Sequence, residues 1–218
     1  MRIFICGDST CCKFSEIHRP LYGWGEFLDT YLPDTEVFNK AEGGKSSKSF
    51  LEEGDLQNVL NQLLPGDLML IQLGGNDFPT WSGFENRHTE PHTEYPRYLS
   101  RYIEGARERG ALPVLLTSAW LRRYTMDNKP IDILHEYNDA VRSLAARENV
   151  PLIDVVSEAI RKLGTLPREE TMTYFAVLLP GTHKNFPNGK DDNNHSLRKG
   201  AMFNAQLVAE GLKKLGLV

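Results

Sequence analysis

Apolar residues along this chain alternate between short uninterrupted runs and longer stretches with helical spacing. The first run, Arg2-Ile-Phe-Ile-Cys6, is closed by Gly7-Asp8-Ser9-Thr10 and reads as a buried strand ending in a tight turn. Trp24, Phe27, Leu28, Tyr31 and Leu32 follow at helical spacing, stopped by Pro33-Asp34. Residues 35–38 are a short β-prone run, and 39–49 a loop rich in glycine and serine. Leu56, Val59, Leu60, Leu63 and Leu64 predict a second amphipathic helix, ended by Pro65-Gly66. Residues 68–73, apolar except for Gln72, predict a strand buried on both faces. A polar and aromatic loop is expected over 78–94. Tyr95, Leu99, Tyr102, Ile103 and Ala106 then mark one helical face, with Gly110 at its C-terminal cap. Residues 112–116 predict a strand. Leu134, Tyr137, Val141, Leu144 and Ala145 predict a helix, 151–155 a further strand, and Val156, Ala159, Ile160 and Leu163 one or two more helical turns. A polar loop over 179–194 leads into a last helix with the face Ala201, Ala205, Val208, Leu212 and Leu215.

Strands that alternate with helices imply an α/β protein with a parallel sheet and right-handed crossovers. The pattern contains five strands, no internal repeat and no low-complexity linker, so one domain over residues 1–218 is expected. The 218 residues suffice for a core without disulfide or metal staples. A net charge of −4 without a basic block argues against a nucleic-acid partner. No apolar run approaches the ~20 residues that span a bilayer, so no membrane partner is expected. The first strand begins at residue 2 and runs into Cys-Gly-Asp rather than a small-residue cleavage site, so a cytoplasmic location is expected of a full-length product. Cys6, Cys11 and Cys12 cluster at the start with no second group to pair with and no zinc spacing, so reduced thiols and no metal are expected.

In open parallel sheets, reactive groups collect beyond the carboxyl ends of the strands. Ser9 follows the first strand, Gly43-Gly44 the second and Gly74-Gly75-Asn76-Asp77 the third; Asp191-Asp192-Asn193-Asn194-His195 precedes the final helix. Taken alone, Gly-Asp-Ser reads equally as a strand-to-helix turn with Asp8 or Ser9 as N-cap. Acyl transfer needs a hydroxyl, a base, a group that orients the base, and donors for the oxyanion. Ser9, His195 and Asp192 can supply the first three. The backbone N–H groups of Ser9 and Gly44 and the side-chain amide of Asn76 can supply the donors.

These four blocks, in this order, resemble those of the SGNH (GDSL-type) hydrolases. Within that superfamily the chain is similar to the rhamnogalacturonan acetylesterase branch, through Asn39-Lys-Ala-Glu-Gly-Gly-Lys-Ser-Ser-Lys-Ser-Phe50, the run from Arg87 through Thr89-Glu-Pro91 to Arg123, and Asp192-Asn-Asn-His195-Ser-Leu-Arg-Lys-Gly-Ala201. The resemblance implies a three-layer α/β/α sandwich with a flavodoxin-like five-stranded parallel sheet. It implies a serine nucleophile Ser9, a general base His195 oriented by Asp192, and an oxyanion hole of Ser9, Gly44 and Asn76. The implied activity is removal of acetyl groups from plant cell-wall oligosaccharides of the pectic, rhamnogalacturonan type, through an acyl-enzyme and with no cofactor. Two positions depart from the pattern: residue 75 is Gly where relatives often carry a larger residue, and residue 194 is Asn where the branch usually has Thr. A lipase, thioesterase or arylesterase of the superfamily, or a xylan-type acetylesterase, is the alternative. A non-catalytic carbohydrate-binding relative is a remote one, against which intact Ser9, Asn76 and His195 argue.

Other residues have bland readings beside functional ones. Asp77 is expected to bond loop backbone. Asp191 is a rival to Asp192, which the three-residue spacing to His195 favours. His88, His92 and His183 are expected at the surface. Trp81, Phe84 and Trp120 could form a sugar-stacking rim or simply pack. Lys45 and Lys48 could attract an acidic substrate or be solvated loop charges.

Overall fold

In the computed structural model, which describes residues 1–79 and 83–218, the apolar runs form one parallel sheet. Its strands are β1 (Arg2–Gly7), β2 (Glu36–Asn39), β3 (Leu68–Gln72), β4 (Leu112–Leu116) and β5 (Leu152–Ile153). They lie in the order β2-β1-β3-β4-β5, the flavodoxin-like arrangement. Successive side chains of a strand point to opposite faces, so each central strand feeds two cores. Ile3, Ile5, Leu68, Leu70, Val114 and Leu116 pack on one side, under α5 (Val155–Leu163) and α6 (Arg198–Lys214). Phe4, Cys6, Met69, Ile71, Leu73 and Leu115 pack on the other. That side is covered by α1 (Ser47–Glu52), α2 (Asp55–Leu60), α3 (Glu94–Glu108) and α4 (His135–Glu148). Burying each such aliphatic or aromatic side chain contributes about 1.5–3 kcal/mol relative to leaving it in water. The result is the expected three-layer α/β/α sandwich.

Between β1 and β3 the chain order reverses direction across the sheet, and Gly7 pairs with Gln72 at the carboxyl ends. A crevice at such a switch point is where open α/β sheets bind ligands. Gln72, the polar exception in its run, is buried there as a junction. It accepts from Trp24 Nε1 (2.6 Å), lies 3.3 Å from Thr10 Oγ1, and donates to the Thr117 carbonyl (2.8 Å).

Several elements differ from the pattern reading. The helix expected over 24–32 is a 3₁₀ turn (Trp24–Glu26) followed by one α-turn (Leu28–Tyr31). Trp24 and Gly25 donate their N–H groups to the carbonyls of Thr10 and Cys11, which anchors the segment to the turn after β1. The second helix stops at Leu60, because the Asp67 carboxylate takes the Leu64 N–H (2.7 Å) and turns the chain into β3. The Gly/Ser loop ends earlier, as α1 begins at Ser47 under a Ser46 cap. The run 151–155 is divided by Asp154, which caps α5 through Ser157 N–H (3.3 Å). Leu215 lies beyond α6 and is exposed. The polar stretch before α6 is a loop only in part: Phe175–Leu178 (β6) and Lys190–Ser196 (β7) form an antiparallel hairpin beside the main sheet.

Candidate active site

The turn after β1 is built around Gly7 and Asp8. A Cβ on Gly7 would collide with Cys11 Sγ and the Gln72 carbonyl, so the close approach of the chains requires glycine. Asp8 is buried, and its Oδ1 accepts from the backbone N–H and the hydroxyl of Thr10 (2.8 Å each). Its carbonyl accepts from the N–H groups of Cys11 (3.1 Å) and Cys12 (3.0 Å). Burial pushes the Asp8 carboxyl up, against the Thr10 bonds that lower it. No helix follows, so Ser9 is not an N-cap; it sits in a turn held on both sides.

The hairpin brings His195 to Ser9 by a bulge. Phe175 pairs with Ser196 and Ala176 with Asp192, so one step along β6 spans four along β7, leaving Asn193, Asn194 and His195 as extra residues. A bulge re-aims side chains in this way. The Asp192 carboxylate organises it: Oδ1 accepts the backbone N–H groups of Asn194 (2.9 Å) and His195 (3.0 Å). Oδ2 lies 2.7 Å from His195 Nδ1 and 3.2 Å from Lys190 Nζ. The other ring nitrogen, Nε2, is 2.9 Å from Ser9 Oγ. With Nδ1–H donating to Asp192, Nε2 is free to accept from the serine hydroxyl. Burial raises the Asp192 carboxyl, but the hydrogen bond and charge of His195 and the two backbone donors hold it well below the usual carboxylate range. Asp191 is exposed and accepts from Asn193 Nδ2 (2.9 Å). Arg122, buried behind the bulge, donates to Asn193 Oδ1 (2.6 Å), Thr171 Oγ1 (2.8 Å) and the Arg168 carbonyl (2.8 Å). Phe14 packs against the imidazole at a near-right angle, with ring centroids 5.9 Å apart.

Donors face this pair from the loops after β2 and β3. Gly44 has φ +82°, a left-handed conformation that suits glycine. Asn76 donates one amide N–H to the Lys45 carbonyl (3.0 Å) and keeps a second. Among the described residues, no protein acceptor takes the N–H of Ser9 or Gly44. Asp77 ties the two loops together. It is fully buried and accepts from Ser47 N–H (2.9 Å), the Ser47 hydroxyl and Thr89 Oγ1 (2.8 Å). Burial pushes its carboxyl up to about 6 despite those bonds.

Ser9, Gly44, Asn76 and His195 line one cavity of about 510 Å³, with Asp192 directly behind His195. Its remaining walls include Phe78, Leu121 and Ile133, in connections following strands, and Arg123, which opens a two-residue strand; periodicity marked none of them. Gly75 and Asn194, the two departures from the family pattern, also line it. A Cβ on Gly75 would stand 3.2 Å from an Asp8 carboxylate oxygen, and Asn194 Oδ1 accepts from Arg123 Nη2 (2.8 Å). Trp120 is buried, with its indole N–H on the Ile131 carbonyl (3.0 Å), and so belongs to the core rather than to a sugar-stacking rim. Phe84 is exposed under the Arg87 guanidinium, and Trp81 lies outside the described residues. His88, His92 and His183 sit in connections and do not line the cavity. The Lys45 ammonium is engaged by Glu53 (2.6 Å) and Asp55, so it is not an open loop charge.

The three cysteines are free and buried. Burial pushes the Cys12 thiol up to about 12 and raises the other two, so none is a thiolate competitor to Ser9. Among the described residues, no group of three or more His, Cys, Asp or Glu is placed to hold a metal. No helix there is long and apolar enough to cross a membrane.

Comparison with known proteins bears on the family and the fold. The profile of the GDSL-like Lipase/Acylhydrolase family matches residues 5–195. The rhamnogalacturonan acetylesterase RhgT of Bacillus subtilis (strain 168) is 37% identical over 218 residues, covering 100% of this chain and 91% of that protein. The crystal structure of YxiM from Bacillus subtilis superposes with a TM-score of 0.81 at 25% identity, over 99% of this chain and 56% of that one. Axe2, an acetylxylan esterase from Geobacillus stearothermophilus, shares the fold at a TM-score of 0.66 and 16% identity, over 99% and 94%.

Proposed function

The chain belongs to the GDSL-like lipase/acylhydrolase family, and from that premise we propose that it is a serine esterase removing O-acetyl groups from pectic, rhamnogalacturonan-type oligosaccharides. The observation that carries the reading is the line Ser9 Oγ, His195, Asp192, at 2.9 and 2.7 Å, opening onto a cavity flanked by uncommitted donors. The similarity to RhgT over the whole chain supports the acetylated pectic substrate.

In this mechanism Ser9 Oγ attacks the acetyl carbonyl carbon as its proton passes to His195 Nε2. Asp192 holds the ring and offsets the imidazolium charge. The oxyanion forms against Ser9 N–H, Gly44 N–H and the Asn76 amide, which gain strength as charge develops. Collapse breaks the bond to the sugar oxygen, which takes the proton from His195 and leaves as a free hydroxyl. Water then enters, gives its proton to His195 and attacks the acetyl-Ser9 carbonyl. Collapse of this second intermediate returns the proton to Ser9 Oγ and releases acetic acid, which ionises to acetate in solution.

The chain acts as one domain over residues 1–218, a reading supported by two cores that share one sheet. A cytoplasmic setting, with oligosaccharides as substrate, is supported by the three free thiols. The test is acetate release from a panel of acetylated oligosaccharides and lipid esters. Preference for pectic acetates is expected. Turnover confined to long-chain lipid or thioesters would overturn the substrate assignment.

A further inference from the structure

One charged side chain of the cavity has no part in the acyl-transfer scheme. Arg123 starts the short hairpin formed by Arg123–Tyr124 and Pro130–Ile131 and lines the cavity beside Asn194 and His195. It donates from Nη1 to the Arg122 carbonyl (3.2 Å) and from Nη2 to Asn194 Oδ1 (2.8 Å). A guanidinium carries five N–H donors in a planar fork, so three remain uncommitted among the described residues. Both of its acceptors are neutral, and no carboxylate among the described residues lies within ion-pair distance. The one carboxylate lining the cavity, Asp8, is buried and spends its Oδ1 on Thr10. Of the nearby cations, Lys45 is paired with Glu53 and Asp55 and Lys190 with Asp192, Arg122 is spent on neutral acceptors behind the bulge, and Arg87 lies against Gly44 and over Phe84 without lining the cavity.

A positive charge without an internal counter-ion, set in a cavity of ordinary small-ligand size, is poised to receive an anion from outside. The planar fork matches a carboxylate better than any neutral hydroxyl pair. Phe78, Leu121 and Ile133 offer the apolar wall that the C–H face of a sugar ring needs. Resting on the acetylesterase reading, we propose that Arg123 is a specificity-determining residue that pairs with the carboxylate of a uronate unit of the substrate, so that acidic acetylated sugars are selected over neutral ones. Asn194, where the branch usually has threonine, positions this guanidinium through its side-chain carbonyl and is adjacent in sequence to His195.

The test compares an acetylated oligogalacturonide with an acetylated xylo-oligosaccharide, measuring kcat and KM for acetate release by the wild type, Arg123→Gln and Arg123→Lys. The wild type should favour the acidic substrate. In Arg123→Gln the acidic-to-neutral ratio of kcat/KM should fall by roughly ten- to a hundredfold, the worth of a charge-assisted hydrogen bond, mainly through KM. Arg123→Lys should recover part of it, and added salt should erode the wild-type preference. Equal losses on both substrates, or an unmoved ratio in a wild type active on both, would overturn the Arg123 assignment alone and leave it a brace for Asn194. A wild type that deacetylates neither sugar overturns the acetylesterase reading and the uronate assignment together.

Discussion

Asn76 uses one amide N–H to grip the Lys45 carbonyl at 3.0 Å and has the other available to the cavity. In the proposed mechanism that second N–H meets charge that exists only in the transition state. Asn76→Ala should therefore lower kcat by a hundred- to a thousandfold, roughly 2.7–4 kcal/mol, and change KM little. Steady-state kinetics on one acetylated substrate decides this; a raised KM at normal kcat would make Asn76 a ground-state contact instead. The two adjacent aspartates give a second test. Asp192 reaches His195 Nδ1 at 2.7 Å, whereas Asp191 is exposed and bonded to Asn193. A carboxylate on Nδ1–H fixes the tautomer whose Nε2 accepts the Ser9 proton. Asp192→Asn should thus lower kcat, by up to about 10⁴-fold if the wrong tautomer is held, with Asp191→Asn nearly silent. The reverse pattern would place the orienting role on Asp191.

At the scale of elements, Asp77 joins the N-terminus of α1 to Thr89 in the connection before α3, and it does so from a fully buried position. Burial pushes its carboxyl up to about 6 in the fold, whereas an unfolded aspartate titrates near 3.9. A raised folded value means that the folded state holds the proton more tightly. Its stability contribution is therefore full below about pH 4 and lost as pH rises through about 6, on the order of 3 kcal/mol. Asp77→Asn should remove that part of the pH slope, read as denaturant midpoints between about pH 4 and 7; an unchanged slope would contradict the buried-carboxyl account. The central strands were legible in the sequence because strands buried on both faces leave continuous apolar runs, as 68–73 does. The helix face from Tyr95 to Ala106 was legible for a similar reason, since all five positions are buried. The hairpin of β6 and β7 was not, because Lys-Asp-Asp-Asn-Asn-His-Ser has no apolar alternation and is held by its bulge. The grouping of Ser9, Gly44, Asn76 and His195 followed from their positions after strands and from the family resemblance. The walls at Phe78, Leu121 and Ile133 and the roles of Arg122 and Arg123 depend on how loops fold over the sheet, which no local period encodes.

Over the whole molecule, the two cores lie on opposite faces of the same five strands, so neither can be lost while the other keeps its sheet. Unfolding should then be a single transition, with far-UV circular dichroism and the fluorescence of buried Trp24 and Trp120 coinciding; separated transitions would divide the chain into two units. The same sheet holds Ser9 at one side of its switch point and Asn76 at the other, while the separate hairpin delivers His195. Catalysis through one activated serine is the claim on which the rest depends. Intact-protein mass spectrometry after treatment with a serine-directed phosphonate tests it most directly, with acetate release followed in parallel. The account predicts one adduct per chain, mapped to Ser9, with activity lost in proportion, and neither adduct nor acetate release in a folded Ser9→Ala variant. An adduct on another residue, or near-normal acetate release by Ser9→Ala, would contradict it.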